Sequence, residues 1–267
     1  MKFSELTALE RTGIDTFAAR IDPSSFIVRG PNGGFLAAVV LRALTSRVGD
    51  LDDPPRPPRS LTVHYARAPV AGPATVTTEL IRVGRSLVTA GARLEQDGRV
   101  ALAALGAFSP PWEAPAWAHH PHPGPLPAPD AEGLPMRDRP PLPFTQYWDH
   151  RFALGVAPGA RGERAVTGGW LRLAEPEPVD AIVVAAMTDA WFPAAFALVD
   201  TPVPTVDLTI HFRTALPHAA LGPEDFALVR FVSNTAADGF VEEDGELWAP
   251  DGTLVAQSRQ LAILLPG

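Results

Sequence analysis

The chain contains no cysteine, which excludes a disulfide framework, a thiolate metal site, a cysteine nucleophile and a thiol redox switch. No uncharged apolar run approaches the ~18 residues of a membrane span. The opening MKFSELTALERTGIDTF carries acids and no long apolar core, so a cytoplasmic protein is expected. Positive charge is scarce: 22 Lys and Arg stand against 30 Asp and Glu, a net charge of -8. That sign is wrong for gripping nucleic acid phosphates over a broad surface, and an anionic ligand must meet a local basic patch. Also missing are a Gly-x-Ser-x-Gly elbow, a phosphate loop and a dinucleotide fingerprint.

Proline is abundant, with 30 residues beside 22 glycines, yet 46% of the 267 residues are hydrophobic. A chain of this length can bury about three quarters of the surface it exposes when unfolded, so a folded globular protein is expected. Twelve prolines fall within residues 110–143, where they can neither donate to a ladder nor continue a helix. This stretch reads as a linker between two units, 1–109 and 144–267.

The two units repeat one another. Ser60-Leu61-Thr62-Val63-His64-Tyr65 has a near copy in Asp207-Leu208-Thr209-Ile210-His211-Phe212, with Thr and His on one face of a strand. Apolar strands follow at Thr75 to Val83 and Phe226 to Ser233, then the hairpin pairs Asp97-Gly98 and Asp251-Gly252. Each half closes on a small-residue strand, up to Phe108 and up to Leu264. Each also carries one helical run ahead of its repeated strands. Gly33-Gly34 leads into FLAAVVLRAL, ended by Thr45 to Gly49, and Asp180 can cap AIVVAAMTDAWFPAA. Helices apolar on all sides are buried. The expected fold is α+β, a double hot-dog: two antiparallel sheets, each wrapped around a central helix.

The first half, GPNGGFLAAVVLRAL followed by SLTVHYARAPVAGPATVTTELIRVGRSLVTAGARLEQDGRVALAALGAF, resembles the N-terminal hot-dog of the bacterial acyl-CoA thioesterase II family. The double glycine and the Arg82-x-Gly84-x-Ser86 pattern are the clearest matches. The second half adds GGWLRL, MTDAWFP, PTVDLTIHF and DGTLVAQSRQ in the order of that family's C-terminal hot-dog. The family has Trp- or Tyr-like residues where His64 and His211 stand here, and its linker is less proline-rich. The resemblance implies an acyl-CoA substrate, no cofactor beyond the CoA of that substrate, and a catalytic trio falling on Asp189, Thr205 and Gln260.

Read on their own, these residues leave alternatives open. Asp189 lies among Ala185, Ala186, Phe192 and Pro193, so its carboxylate either finds polar partners and a raised pKa or turns to solvent near Pro193. Thr205 is a strand former or a hydroxyl of the site, and Gln260 either faces outward or serves the site. Together the trio would let Asp189 act as general base on a water that Thr205 and Gln260 orient toward a thioester carbon. Backbone N–H groups of Gly33 and Gly34 at the first helix start would stabilise the oxyanion, unless the pair merely makes a tight turn. Arg82 and Arg85 near Ser86, with Arg59 and Arg67, are candidates for the CoA phosphates. His119, His120 and His122 lack a convincing fourth ligand for a metal. Trp191 is the tryptophan best placed to shape an acyl tunnel, and homo-oligomerisation stays open. The competing functions are a hot-dog enoyl-thioester hydratase, which needs a cooperating Asp and His, and a non-catalytic acyl-thioester binder.

Overall fold

In a computed structural model, the structure describes residues 1–51, 54–131, 142–157 and 160–265. The chain opens with a short helix α1 (Phe3–Leu6) and strands β1 (Glu10–Arg11) and β2 (Thr16–Ile21). Helix α2 (Gly33–Gly49) and strands β3 (Pro58–Tyr65), β4 (Gly72–Val83), β5 (Val88–Gln96) and β6 (Arg99–Phe108) follow. The second half contains β7 (Trp148–Gly155), β8 (Ala165–Leu173), α3 (Ala181–Met187), β9 (Thr205–Phe212), β10 (Ala227–Ser233), β11 (Ala236–Ala237), β12 (Phe240–Trp248) and β13 (Leu254–Ile263).

The strands form one large antiparallel sheet, ordered β1-β2-β4-β5-β6-β3-β9-β13-β12-β10-β8-β7, with β11 paired off the path to β12. Read inward, the path runs β2-β4-β5-β6-β3 in one half and β8-β10-β12-β13-β9 in the other. In each half the helix lies between the first and second of these strands in chain order. The halves meet at β3 and β9, where Ser60 faces His211, Thr62 faces Thr209 and His64 faces Asp207. Equivalent residues of the repeat therefore oppose each other at Thr62 and Thr209, whose hydroxyls are 3.0 Å apart. The period of two then sends Leu61, Val63, Leu208 and Ile210 to the core, all fully buried.

Helix α2 begins where the Asn32 side chain accepts from the Phe35 N–H at 2.9 Å, an N-cap. It packs on β3, β4, β5 and β6 and on α3. Phe35, Leu41 and Leu44 are completely buried, and each such side chain stabilises the fold by roughly 1.5–3 kcal/mol. Helix α3 starts from Asp180, whose carboxylate accepts from the Ile182 and Val183 N–H groups. The helix expected as far as Ala195 stops at Met187. Pro193 cannot continue it, and a short 3-10 turn at Ala194–Ala197 follows.

Residues 110–131 of the proline-rich stretch form neither helix nor strand, and 132–141 lie outside the described residues. The described part lies against the second half. Trp170 Nε1 donates to the Pro127 carbonyl at 2.8 Å, His120 pairs with Glu246, and the His120 ring stacks on Trp248. Among the described residues no helix is long and apolar enough to cross a membrane.

Candidate active site

Helices α2 and α3 pack against each other, with the C-terminal end of α3 beside the N-terminal end of α2. A Cβ on Gly34 would lie 2.6 Å from the Ala186 carbonyl oxygen and 2.9 Å from Asp189 Cβ. Only a residue without a side chain permits this approach. It delivers Asp189, two residues beyond α3, to the first turn of α2. Asp189 Oδ2 accepts from the Gly34 N–H at 2.8 Å and from Asn32 Nδ2 at 3.1 Å. Asn32 Nδ2 also donates to the Asp189 carbonyl at 2.8 Å. Asn32 thus caps the helix with its oxygen and holds the acid with its nitrogen. The Tyr65 hydroxyl donates to the Gly33 carbonyl at 2.7 Å and fixes the same turn from β3.

Burial pushes the Asp189 carboxyl up to about 6, against the opposing pull of the Gly34 N–H, the Asn32 amide and the Gly33 N–H. Near neutral pH the group is ionised and close in affinity to a proton acceptor's optimum. The Gly34 and Asn32 hydrogen bonds both fall on Oδ2, and Asp189 lines a cavity of about 440 Å³.

Thr205 and Gln260 line that cavity as well. Thr205 starts β9 and Gln260 sits on β13, and the Thr205 hydroxyl donates to Gln260 Oε1 at 2.9 Å. Gln260 is buried rather than outward-facing. Directly opposite it on β12 is Glu243, whose Oε1 accepts from Gln260 Nε2 at 2.7 Å. Glu243 Oε2 accepts from the Ala194 N–H. Burial drives the Glu243 carboxyl up to about 7, opposed by these two hydrogen bonds and reinforced by the negative charges of Asp189 and Glu242.

Leu36, Phe144, Phe192, Phe196 and Val241 supply apolar wall. Trp191 lines the cavity too, its indole N–H donating to Thr167 Oγ1 at 3.0 Å. Two exposed cations, Arg29 and Arg67, are also in the lining, and among the described residues no carboxylate pairs with either.

Two expectations change. The Gly34 N–H is occupied by Asp189, and the Gly33 N–H leans on the same carboxylate, so Gly34 is not a free oxyanion donor. Its task is the close helix contact and the holding of the acid. Arg82 near the end of β4, and Arg85 and Ser86 on the β4–β5 connection, are exposed and outside the cavity lining. Val88 beyond that turn pairs with Phe108 and Phe108 with Pro58, at the start of β3, whereas the cavity is at its Tyr65 end. An eight-residue strand separates them, roughly 23 Å. Arg59 lies at that far end too and donates to the Ser109 carbonyl, which leaves Arg67 of the four. His64 and His211 are exposed on their strands and neither lines the cavity, so neither is the partner of Asp189 that hydratase chemistry would need.

Asn32, Tyr65, Glu243 and Arg29 were not singled out in the sequence. Asn before a glycine pair and an apolar run is a cap signal that could have found Asn32. Alternation along β12 puts Glu243 on the face of Val241 and Gly245, an inward acid that strand period alone could have flagged. Among the described residues no cluster of three or more His, Asp or Glu side chains is arranged to hold a metal.

Comparison with known proteins adds three kinds of likeness. The family model of the acyl-CoA thioesterase N-terminal domain matches residues 22–109, and that of the C-terminal domain matches residues 124–264. A protein with hot-dog fold and unknown function from Alicyclobacillus acidocaldarius superposes with a TM-score of 0.85 at 26% identity, covering 99% of this chain and 98% of that one. A protein provisionally named a thioesterase II from Thermobifida fusca YX gives 0.80 at 28% identity, over 99% and 97% of the two chains. Among curated proteins, the thioesterase-like protein TwmA of Talaromyces wortmannii is 32% identical over 103 residues, 38% of this chain and 28% of that protein's length.

Proposed function

The chain belongs to the acyl-CoA thioesterase family defined by those N- and C-terminal domains, and from that premise we infer that it hydrolyses an acyl-CoA to a free acid and CoA. The two halves are two hot-dog units, 1–109 and 144–267, joined by 110–143, with α2 and α3 as their central helices. The reaction site lies where the helix ends meet, which gives the second unit the base and the first unit the amides that hold it.

Asp189 Oδ1 takes a proton from a water while Thr205 orients it. The Thr205 proton is directed to Gln260 Oε1, which leaves the hydroxyl's lone pairs to accept the second water hydrogen. The water oxygen bonds to the thioester carbon, and charge develops on the carbonyl oxygen. The Gln260 Nε2–H not engaged by Glu243 is the donor for that oxygen, in place of the Gly34 N–H. The intermediate collapses with cleavage of the carbon–sulfur bond, and the proton held by Asp189 passes to the leaving sulfur. Arg29 and Arg67 provide the local positive charge that the CoA phosphates need in a protein of net charge -8.

The observation that carries the reading is the meeting of Asp189, Thr205 and Gln260 on one cavity, with the acid's pKa lifted toward neutrality. Release of free thiol from a panel of short, medium, long and aromatic acyl-CoAs tests it. Turnover that Asp189→Asn abolishes is expected, whereas tight acyl-CoA binding without turnover by the unaltered protein would make it a binder.

A further inference from the structure

Gln260 has an oxygen end and a nitrogen end of nearly equal shape, and the site works only if the nitrogen end keeps a donor for the cavity. Its neighbour Thr205 does not choose between the ends, since a hydroxyl donates and accepts. Glu243 does choose. An ionised carboxylate only accepts, and it stands opposite Gln260 on the next strand with Oε1 2.7 Å from Nε2. Its other oxygen is held by the Ala194 N–H, so the carboxylate itself has a fixed direction.

A buried acid is a costly way to fill this position. Glu243 is 7% exposed, and an ionised carboxylate loses far more hydration on burial than a neutral amide of the same size. Glutamine would fit the same space, but with its oxygen on the Ala194 N–H it would turn its NH2 toward Gln260 and no longer select the orientation in which Gln260 Nε2 donates. What the carboxylate adds is polarity.

Resting on the thioesterase reading above, we propose that Glu243 is a positioning residue that acts through Gln260, locking the amide so that Thr205 donates to its oxygen and its second N–H faces the substrate. The chain of hydrogen bonds then runs one way, from Thr205 through Gln260 to Glu243. Protonation of Glu243 turns an acceptor into a donor and removes the lock, so the device weakens as pH falls. The charged groups acting on Glu243 are Asp189 across the cavity and Glu242 on its own strand, both negative. Burial first, reinforced by these two charges, raises the carboxyl to about 7, so the lock is released near neutral pH rather than in strong acid.

The test compares the wild type with Glu243→Gln over pH 5 to 9, by thiol release under saturating acyl-CoA. The variant's kcat should be lower by about tenfold at pH 8, the worth of one oriented hydrogen bond, with KM little changed. The ratio of wild type to variant should fall toward one below pH 6, where the wild-type Glu243 is protonated and, like the glutamine that replaces it, no longer only accepts. A ratio independent of pH would mean that Glu243 only fills space and would overturn the proposal. A second measurement needs no activity: the side-chain amide resonances of Gln260 in the 15N-labelled wild type should titrate with a midpoint near 7. Their failure to move overturns the proposal even if Glu243→Gln does not fold. Absence of turnover by the wild type, with the amide titrating as expected, would instead count against the thioesterase reading alone.

Discussion

The Gly34 N–H and the Asp189 carboxylate, 155 residues apart in the chain, meet at 2.8 Å. The contact joins the two halves of the protein at the point where chemistry is proposed. It explains how an acid can sit in a mostly apolar cavity and still be ionised near neutral pH. The helix start offers N–H groups and a positive dipole end, and these offset part of the hydration that the carboxylate has lost.

Replacing the base removes proton abstraction and leaves the substrate pocket in place. Asp189→Asn should therefore lower kcat by about 10²–10⁴-fold with KM nearly unchanged. In the wild type the rate should fall as pH drops through about 6, where Asp189 takes up its proton. Thiol release across pH 4.5 to 9 measures both effects, and a rate flat through pH 6 would remove Asp189 from the role.

Gly34→Ala places a methyl group within 2.6 Å of the Ala186 carbonyl and 2.9 Å of Asp189 Cβ. The helix ends must separate, which costs about 1–3 kcal/mol of stability and also withdraws the N–H from the acid. Chemical denaturation should show the lost stability. The activity profile should shift its acid limb upward, because Asp189 loses a hydrogen bond that favours its ionised form.

If Arg29 and Arg67 meet phosphates, their truncation acts on binding and not on chemistry. Arg29→Ala and Arg67→Ala should each raise KM for an acyl-CoA several-fold to about tenfold, with kcat preserved. The same variants should treat an acyl thioester of N-acetylcysteamine, which has no phosphate, like the wild type. Arg82→Ala and Arg85→Ala should leave both substrates unaffected.

The raised carboxyl of Glu243 also shapes stability. Its folded pKa, about 7, exceeds the ordinary 4.5, so the folded protein holds a proton that the unfolded chain releases between those values. Stability is then greatest below about pH 4.5 for this group, falls as pH rises to 7, and levels above it. The span corresponds to roughly 3 kcal/mol. Thermal unfolding should show the melting temperature of Glu243→Gln gaining on that of the wild type from pH 5 to pH 8; parallel curves would contradict it.

Much of the architecture was legible in the residues. The segments Ser60–Tyr65 and Asp207–Phe212 repeat one another as strands, and alternation along them puts Leu61, Val63, Leu208 and Ile210 on the face that is buried. Asp97-Gly98 and Asp251-Gly252 marked hairpins, and in the first both residues have the positive φ that such a turn demands, 51° and 70°. These features are local: strand period and turn chemistry act between near neighbours and are written in short stretches of chain.

What the tertiary structure decided is how distant groups share one space. Nothing local to Gly34 says that its N–H is spent on Asp189, or that Arg82 and Arg85 lie a strand's length from the cavity while Arg29 borders it. Glu243 is one acid in a run of three until β12 pairs with β13 and sets it against Gln260. The sequence by itself determined the strand alternation, the hairpin turns and the types of group available to the site. Packing of one helix end on another and the register of one strand pair decided which of those groups meet, because burial and hydrogen bonding between residues far apart in the chain exist only once the strands have paired and the helices have packed.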